Sequence, residues 1–183
     1  MKIIAGELKG RLIEMPKGIR PTSDKVREAF FEIVKDRIGE ADFLDLYCGS
    51  GAMGIEAFSR GARSVCFVDN NFRCIKALKR NIYSLNIDYN LNNIEIYKKG
   101  VLRQIELLHS LKRIYDIVFL DPPYYKDIAK NTLIALSDYD ILARNALIII
   151  ESHAKDELPE KAGLIKRFRV SLYGDTKLEF YKI

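Results

Sequence analysis

The apolar positions of this chain fall into short blocks that alternate between two periods. Phe43–Tyr47, Val65–Val68, Ile94–Tyr97, Tyr115–Leu120 and Ala146–Ile150 are brief runs of the kind that suits strands covered on both faces. Between them, apolar residues recur at helical spacing. Val26, Ala29, Phe30, Ile33 and Val34 precede the first strand, and Ile75, Leu78, Ile82 and Leu85 follow the second. Val101, Ile105 and Leu108 predict a short helix before the fourth strand, and a further helix is expected near Ile128–Leu136.

The punctuation agrees with that division. Ser23-Asp24 offers a side-chain acceptor and an acid for a helix start, and Gly39 closes the same helix. Gly61 suits the C-terminal cap of the helix that opens after Gly51, and Asn70 or Asn71 can cap the next. A polar loop through Asn90 and Asn92 leads to the third strand. Beyond Glu151 the helical pattern fades until Leu164. Lys166–Leu172 and Lys177–Tyr181 then alternate at strand period around Tyr173-Gly174-Asp175-Thr176, a hairpin turn. At the other end, Ile3-Ile4-Ala5 and Arg11-Leu12-Ile13 flank Gly6 and Gly10, with Pro16, Gly18 and Pro21 following, which predicts a short β-ribbon arm. The whole predicts an α/β fold: a seven-stranded, mostly parallel sheet with helices on both faces and a terminal antiparallel hairpin. At 183 residues the simplest division is a single domain over 1–183, in which 1–21 forms an N-terminal basic arm.

Composition narrows the classes. No apolar run approaches the ~20 residues of a membrane helix, and the N-terminus lacks a signal peptide's apolar core, so a cytoplasmic protein is expected. Cys48, Cys66 and Cys74 form no Cys-x-x-Cys pair and fit a reducing compartment. Cys48 adjoins the glycine turn, where a small residue beside a ligand explains it better than a catalytic thiol, because no His stands nearby in sequence. His109 and His153 are the only histidines, so no metal cluster is expected. The net charge of +5 and pI near 9.0 permit a nucleic-acid partner without diagnosing one. Lys2, Lys9, Arg11, Lys17, Arg20 and Lys25 fit a solvated surface and phosphate contact equally, and Arg27 with Glu28 reads as a solvated pair.

The chemistry gathers where strands end. Phe43–Leu46 runs into Tyr47-Cys48-Gly49-Ser50-Gly51 and a helix, whose N-terminal amides favour an anionic or nucleotide-like ligand. Gly49-x-Gly51-x-x-Gly54 with Asp69 closing the second strand also satisfies the dinucleotide fingerprint, a glycine turn with a ribose-binding acid ~20 residues on. That turn serves a nicotinamide dehydrogenase and an S-adenosylmethionine (SAM) methyltransferase alike. Asp121-Pro122-Pro123-Tyr124 separates them. Two prolines force the chain rigidly out of the sheet just after Asp121. Asp121 and the Pro122 carbonyl can accept both hydrogens of an exocyclic amine, and Tyr124 offers a stacking face. Such a pair aims the nitrogen lone pair at an electrophilic methyl.

This pattern resembles the amino-group methyltransferases of the SAM-dependent, Rossmann-like class I. More narrowly, the chain is similar to the bacterial 16S rRNA guanine-N2 methyltransferase family. The similarity is carried by Ile3–Arg11, Arg20–Glu28, Asp45–Glu56, Asp121–Tyr124 and the Tyr173–Thr176 region, in order along nearly the whole chain. The resemblance implies methyl transfer from SAM to one guanine of 16S rRNA, within the small ribosomal subunit, by a monomer that needs no metal or membrane. It implies that Asp121, Pro122 and Tyr124 are catalytic. Asp45, Tyr47, Cys48, Gly49, Ser50 and Gly51 would line the methionine part of the cofactor, Asp69 would bind its ribose, and Asn70 would border its adenine. The basic arm around Arg20, Thr22 and Lys25 would cover the cofactor and meet the RNA, and Pro123 would also touch the substrate. One departure stands out: related enzymes often carry Asp or Asn after the third strand, whereas this chain has Lys98-Lys99-Gly100. Glu151 and His153 share the rim as supporting groups. The rival readings are adenine-N6 methylation of DNA or RNA, a nicotinamide-dependent oxidoreductase, and a non-catalytic RNA-binding assembly factor.

Overall fold

The structure is a computed structural model that describes residues 1–16, 18, 22–89, 91, 93–123 and 127–183. Helix α1 (Asp24–Ile38) precedes an alternation of β1 (Asp42–Leu46), α2 (Ala52–Ser59), β2 (Ser64–Asp69), α3 (Phe72–Ser84), β3 (Ile94–Lys98), α4 (Val101–Ser110), β4 (Tyr115–Leu120), α5 (Ile128–Asp138) and β5 (Leu142–His153). Strands β6 (Lys161–Ala162), β7 (Ile165–Tyr173) and β8 (Thr176–Lys182) complete it.

Local signals set the element ends. The Ser23 side chain accepts from the Val26 amide and Asn71 from the Arg73 amide, each satisfying a free N–H of the helix that follows. After α2, Gly61 takes a φ of 94°, while the Gly61 amide donates to Phe58 and the Ala62 amide to Ala57, a left-handed cap that uses up the last carbonyls.

The described strands form one sheet in the order β3-β2-β1-β4-β5-β8-β7-β6, parallel from β3 to β5 and antiparallel beyond. It has eight strands where seven were expected, because the two-residue β6 pairs with β7 in a segment with no strand period in its sequence. Strand β5 runs past its apolar run at both ends, since Leu142 pairs with Tyr115 and His153 with Thr176, and pairing rather than hydrophobicity sets its length. The expected N-terminal ribbon is reduced to a single antiparallel bridge between Lys2 and Leu12, with a compact turn through Gly6 and Gly10.

Alternation along the strands divides the core. Phe43, Phe67, Phe119 and Ile149 pack under α1, α2 and α3, with Phe30 of α1 meeting the Phe119 ring edge-on at 5.3 Å. Leu44, Leu46, Val118 and Ile150 pack on the other face, against α4 and α5. Strand β1 is flanked by β2 on one side and β4 on the other, so crossovers leave it in opposite directions. The crevice at the carboxyl ends of β1 and β4 is where such sheets receive ligands.

Residues 1–16 wrap the outside of α2 and α3, and Glu56 anchors them. Its buried carboxylate accepts from the Ile4 amide at 2.8 Å and the Ala5 amide at 3.0 Å, and pairs with Arg60 at 2.8 Å. Arg27 is wholly buried beside it, 3.5 Å from Glu56, and donates to the Lys2 carbonyl and to Asp24. Arg27 is thus not half of a solvated pair. Only Glu28 faces solvent, and its neighbour pins the arm to the core.

Candidate active site

A cavity of about 400 Å³ opens at this crevice. Its floor is the turn after β1. Gly49 has a φ of 55°, and a Cβ there would meet nothing within 4 Å, so the turn's open side faces space that a ligand can fill. Gly51, at φ 81°, would press a side chain into Leu78, and Gly54 would collide with the Phe67 ring, which keeps α2 close on the sheet. The three glycines therefore serve three purposes: room for a ligand, a left-handed turn, and helix–sheet contact.

Two carboxylates brace the turn. Asp45 is 1% exposed and accepts from the Gly54 amide at 2.9 Å. Burial, opposed by that hydrogen bond and reinforced by the nearby Asp69 charge, pushes its carboxyl up to about 7. Asp69 accepts from the Gly49 amide at 3.0 Å with one oxygen and from the Asn71 amide at 2.8 Å with the other. It thereby ties the glycine turn to the start of α3 while still facing the cavity.

The remaining residues expected around a cofactor are also placed there. Tyr47, Cys48, Ser50 and Asn70 line the same cavity. Tyr47 takes a φ of 63°, unusual for a residue with a side chain, and its hydroxyl lies 2.7 Å from Thr132 Oγ1. The Cys48 thiol is buried and pushed well above its ordinary value by burial, so it stays protonated and fits the reading as a packing residue. Ser50 donates to the Met15 sulfur at 3.0 Å, and its carbonyl accepts from Asn81. Met15, Gly18 and Thr22 bring the N-terminal segment to the cavity mouth. No pattern along the chain marks Met15, whose place follows from how the arm wraps. Lys98 is not among the lining residues; its ammonium stands 5.3 Å from the Phe72 ring centroid.

Asp121, Pro122 and Pro123 form the facing wall, with Glu151. The Asp121 amide still donates to Leu46 of β1, at 3.3 Å, so the acid leaves the sheet beside the glycine turn. Thr22 donates its hydroxyl to Asp121 Oδ2 at 3.3 Å. Lys25 is exposed, with its ammonium 6.0 Å from the Tyr173 ring centroid and outside the cavity. Arg20 and Tyr124 lie outside the described residues. Among the described residues no His, Cys, Asp and Glu cluster is arranged to hold a metal, and no described helix is long and apolar enough to cross a membrane.

Residues 1–182 match the family described as Conserved hypothetical protein 95. The chain belongs to this family. Among similar proteins, the Bacillus subtilis (strain 168) "Putative rRNA methyltransferase YlbH" is 33% identical, over 100% of this chain and 98% of the relative. Ribosomal RNA small subunit methyltransferase D of Escherichia coli (strain K12) is 30% identical over 100% of this chain and 89% of that protein. The solved structure of "Putative methyltransferase yhhF" from Escherichia coli superposes with a TM-score of 0.85 at 29% identity, covering 100% of this chain and 97% of that one. The fold is that of the SAM-dependent methyltransferases, here a mostly parallel central sheet with terminal antiparallel strands.

Proposed function

We propose that this protein transfers a methyl group from SAM to the exocyclic N2 amine of a guanine in the 16S RNA of the small ribosomal subunit, as a cytoplasmic monomer. One observation carries the reading. Asp121 and Pro122 wall the same 400 Å³ cavity that the glycine turn and Asp69 floor, so acceptors for an amine face a cofactor-sized space. The names of the relatives support RNA of the small subunit as the substrate.

Bound SAM supplies an electrophilic methyl on a sulfonium. The residues supply placement. Asp69 would hold the ribose hydroxyls, and Asp45 would face the amino group of the methionine part. Gly49 leaves the main chain open to close approach. Asp121 accepts one hydrogen of the target amine and the Pro122 carbonyl the other, which turns the nitrogen lone pair toward the methyl. The positive charge that would grow on nitrogen as it takes the methyl from sulfur would lie beside the Asp121 carboxylate, which would stabilise it. That carboxylate then takes the released proton and passes it to solvent. The Thr22 hydroxyl, donating to Oδ2, helps to fix the rotamer of that carboxylate.

Labelled SAM offered with unmodified small subunits, naked 16S RNA and DNA in parallel tests this. Label in N2-methylguanosine is expected from the subunit or its RNA. Label in methyladenine would replace the substrate assignment, and no label with SAM still bound would replace the reaction.

A further inference from the structure

A second cavity, of about 420 Å³, lies on the far side of the two prolines. Among the described residues, Pro122, Pro123 and Glu151 line both cavities. Glu151 is 3% exposed, a carboxylate buried at the junction of two spaces. Its position follows from strand register. Leu120 of β4 pairs with Ile150 of β5 as the last pair of their register, and Asp121 and Glu151 follow it at the sheet's rim. Register partners on parallel strands project to the same face, about 4.8 Å apart. Asp121 lines the first cavity and Glu151 lines both, so the two acids meet at one rim.

We propose that this second cavity receives the target base and that Glu151 accepts the hydrogen on N1 of guanine, making it the residue that selects guanine over other bases. The assignment rests on the guanine-N2 reading above. Guanine carries two adjacent donors on one edge, N1–H and the N2 amine. With the amine held by Asp121 and Pro122, N1–H falls on the neighbouring acceptor, and that neighbour is Glu151. Adenine offered with its amine in the same place would present the N1 lone pair to a buried carboxylate, and cytosine would present N3. Each leaves acceptor against acceptor at a carboxylate that is itself buried. Pro122 and Pro123 give the base an apolar surface.

The experiment uses small subunits reconstituted with a ligated 16S RNA that carries guanine or 2-aminopurine at the modified position. 2-Aminopurine keeps the reacting amine and replaces N1–H by a lone pair. The full-length wild-type protein should favour guanine by about 100-fold or more in kcat/KM, because a site built around an N–H rejects an analogue lacking it. In Glu151→Gln, whose amide can donate as well as accept, the preference should shrink to within about 10-fold, with SAM affinity by calorimetry within about threefold of wild type. A structural role alone would lower both rates together and leave the preference intact, which overturns the assignment. Wild-type protein that methylates 2-aminopurine as readily as guanine overturns it whatever the variant does. Wild-type protein that leaves the guanine subunit unlabelled overturns the underlying reaction, and this assignment with it.

Discussion

Cofactor binding should be linked to the proton on Asp45. Its carboxyl is wholly buried and raised to about 7, against an ordinary 3.8, chiefly because burial disfavours the charged form. A cationic amino group set against it would favour the carboxylate and expel that proton. With a free-protein value near 7, Asp45 is about 90% protonated at pH 6 and about 25% protonated at pH 7.5. The apparent dissociation constant for SAM then scales as one plus the ratio of protonated to ionised acid. That factor is about 11 at pH 6 and about 1.3 at pH 7.5, an eightfold tightening. Calorimetry in buffers of different ionisation enthalpy should find about 0.9 proton released per SAM at pH 6. Asp45→Asn keeps the shape and removes the titration, so its affinity should be flat over this range. An affinity for SAM that does not change between pH 6 and 7.5 in the wild-type protein, with no proton released, would refute the reasoning. Stability of the free protein should move the other way. A raised folded-state value means that the Asp45 contribution is full below the unfolded value near 4 and is lost as pH rises through about 7.

Other substitutions test the frame around the site. Gly6→Ala should cost about 2–4 kcal/mol in urea unfolding, since φ is +82° and a Cβ would overlap the Ser59 carbonyl; a change under about 0.5 kcal/mol would contradict that packing. Glu56→Ala strips the buried Arg27 of its neighbour and two arm amides of their acceptor, and should cost about 3–5 kcal/mol by the same measurement, with proteolysis beginning in residues 1–16. Asp121→Ala should reduce methyl transfer by about 100-fold or more while SAM affinity by calorimetry stays within a few-fold; a wild-type rate would remove Asp121 from the reaction. Thr22→Val should slow transfer by about 10-fold with SAM affinity unchanged, because only the carboxylate rotamer is released, and a full rate would show that the hydrogen bond does not matter.

The sequence by itself determined the parts whose causes lie within a few residues. Mostly apolar runs located β1, β2 and β4 to within a residue, since strands covered on both faces keep few polar positions, and those, like Asp45, have partners. Ser23, Asn71 and Gly61 marked helix ends because a cap bonds to amides or carbonyls two to five residues away. The order of glycine turn, Asp69 and Asp121-Pro122-Pro123 was enough to expect the cavity, because alternating strands and helices bring every strand's carboxyl end to one rim.

The tertiary structure decided what depends on segments meeting from afar. Arg27 resembled any exposed helix charge until Glu56, on another helix, and Lys2, on the arm, closed around it. Thr22 and Asp121 are 99 residues apart, and no local pattern announces their hydrogen bond. The two-residue β6 exists only because β7 lies beside it. Glu151 was visible as a rim residue, but its position between two cavities comes from the register of β5 against β4. Local propensity records what a segment can become; which buried charges find partners is settled only when the chain has closed on itself, because a charge removed from water is tolerated only where another group meets it.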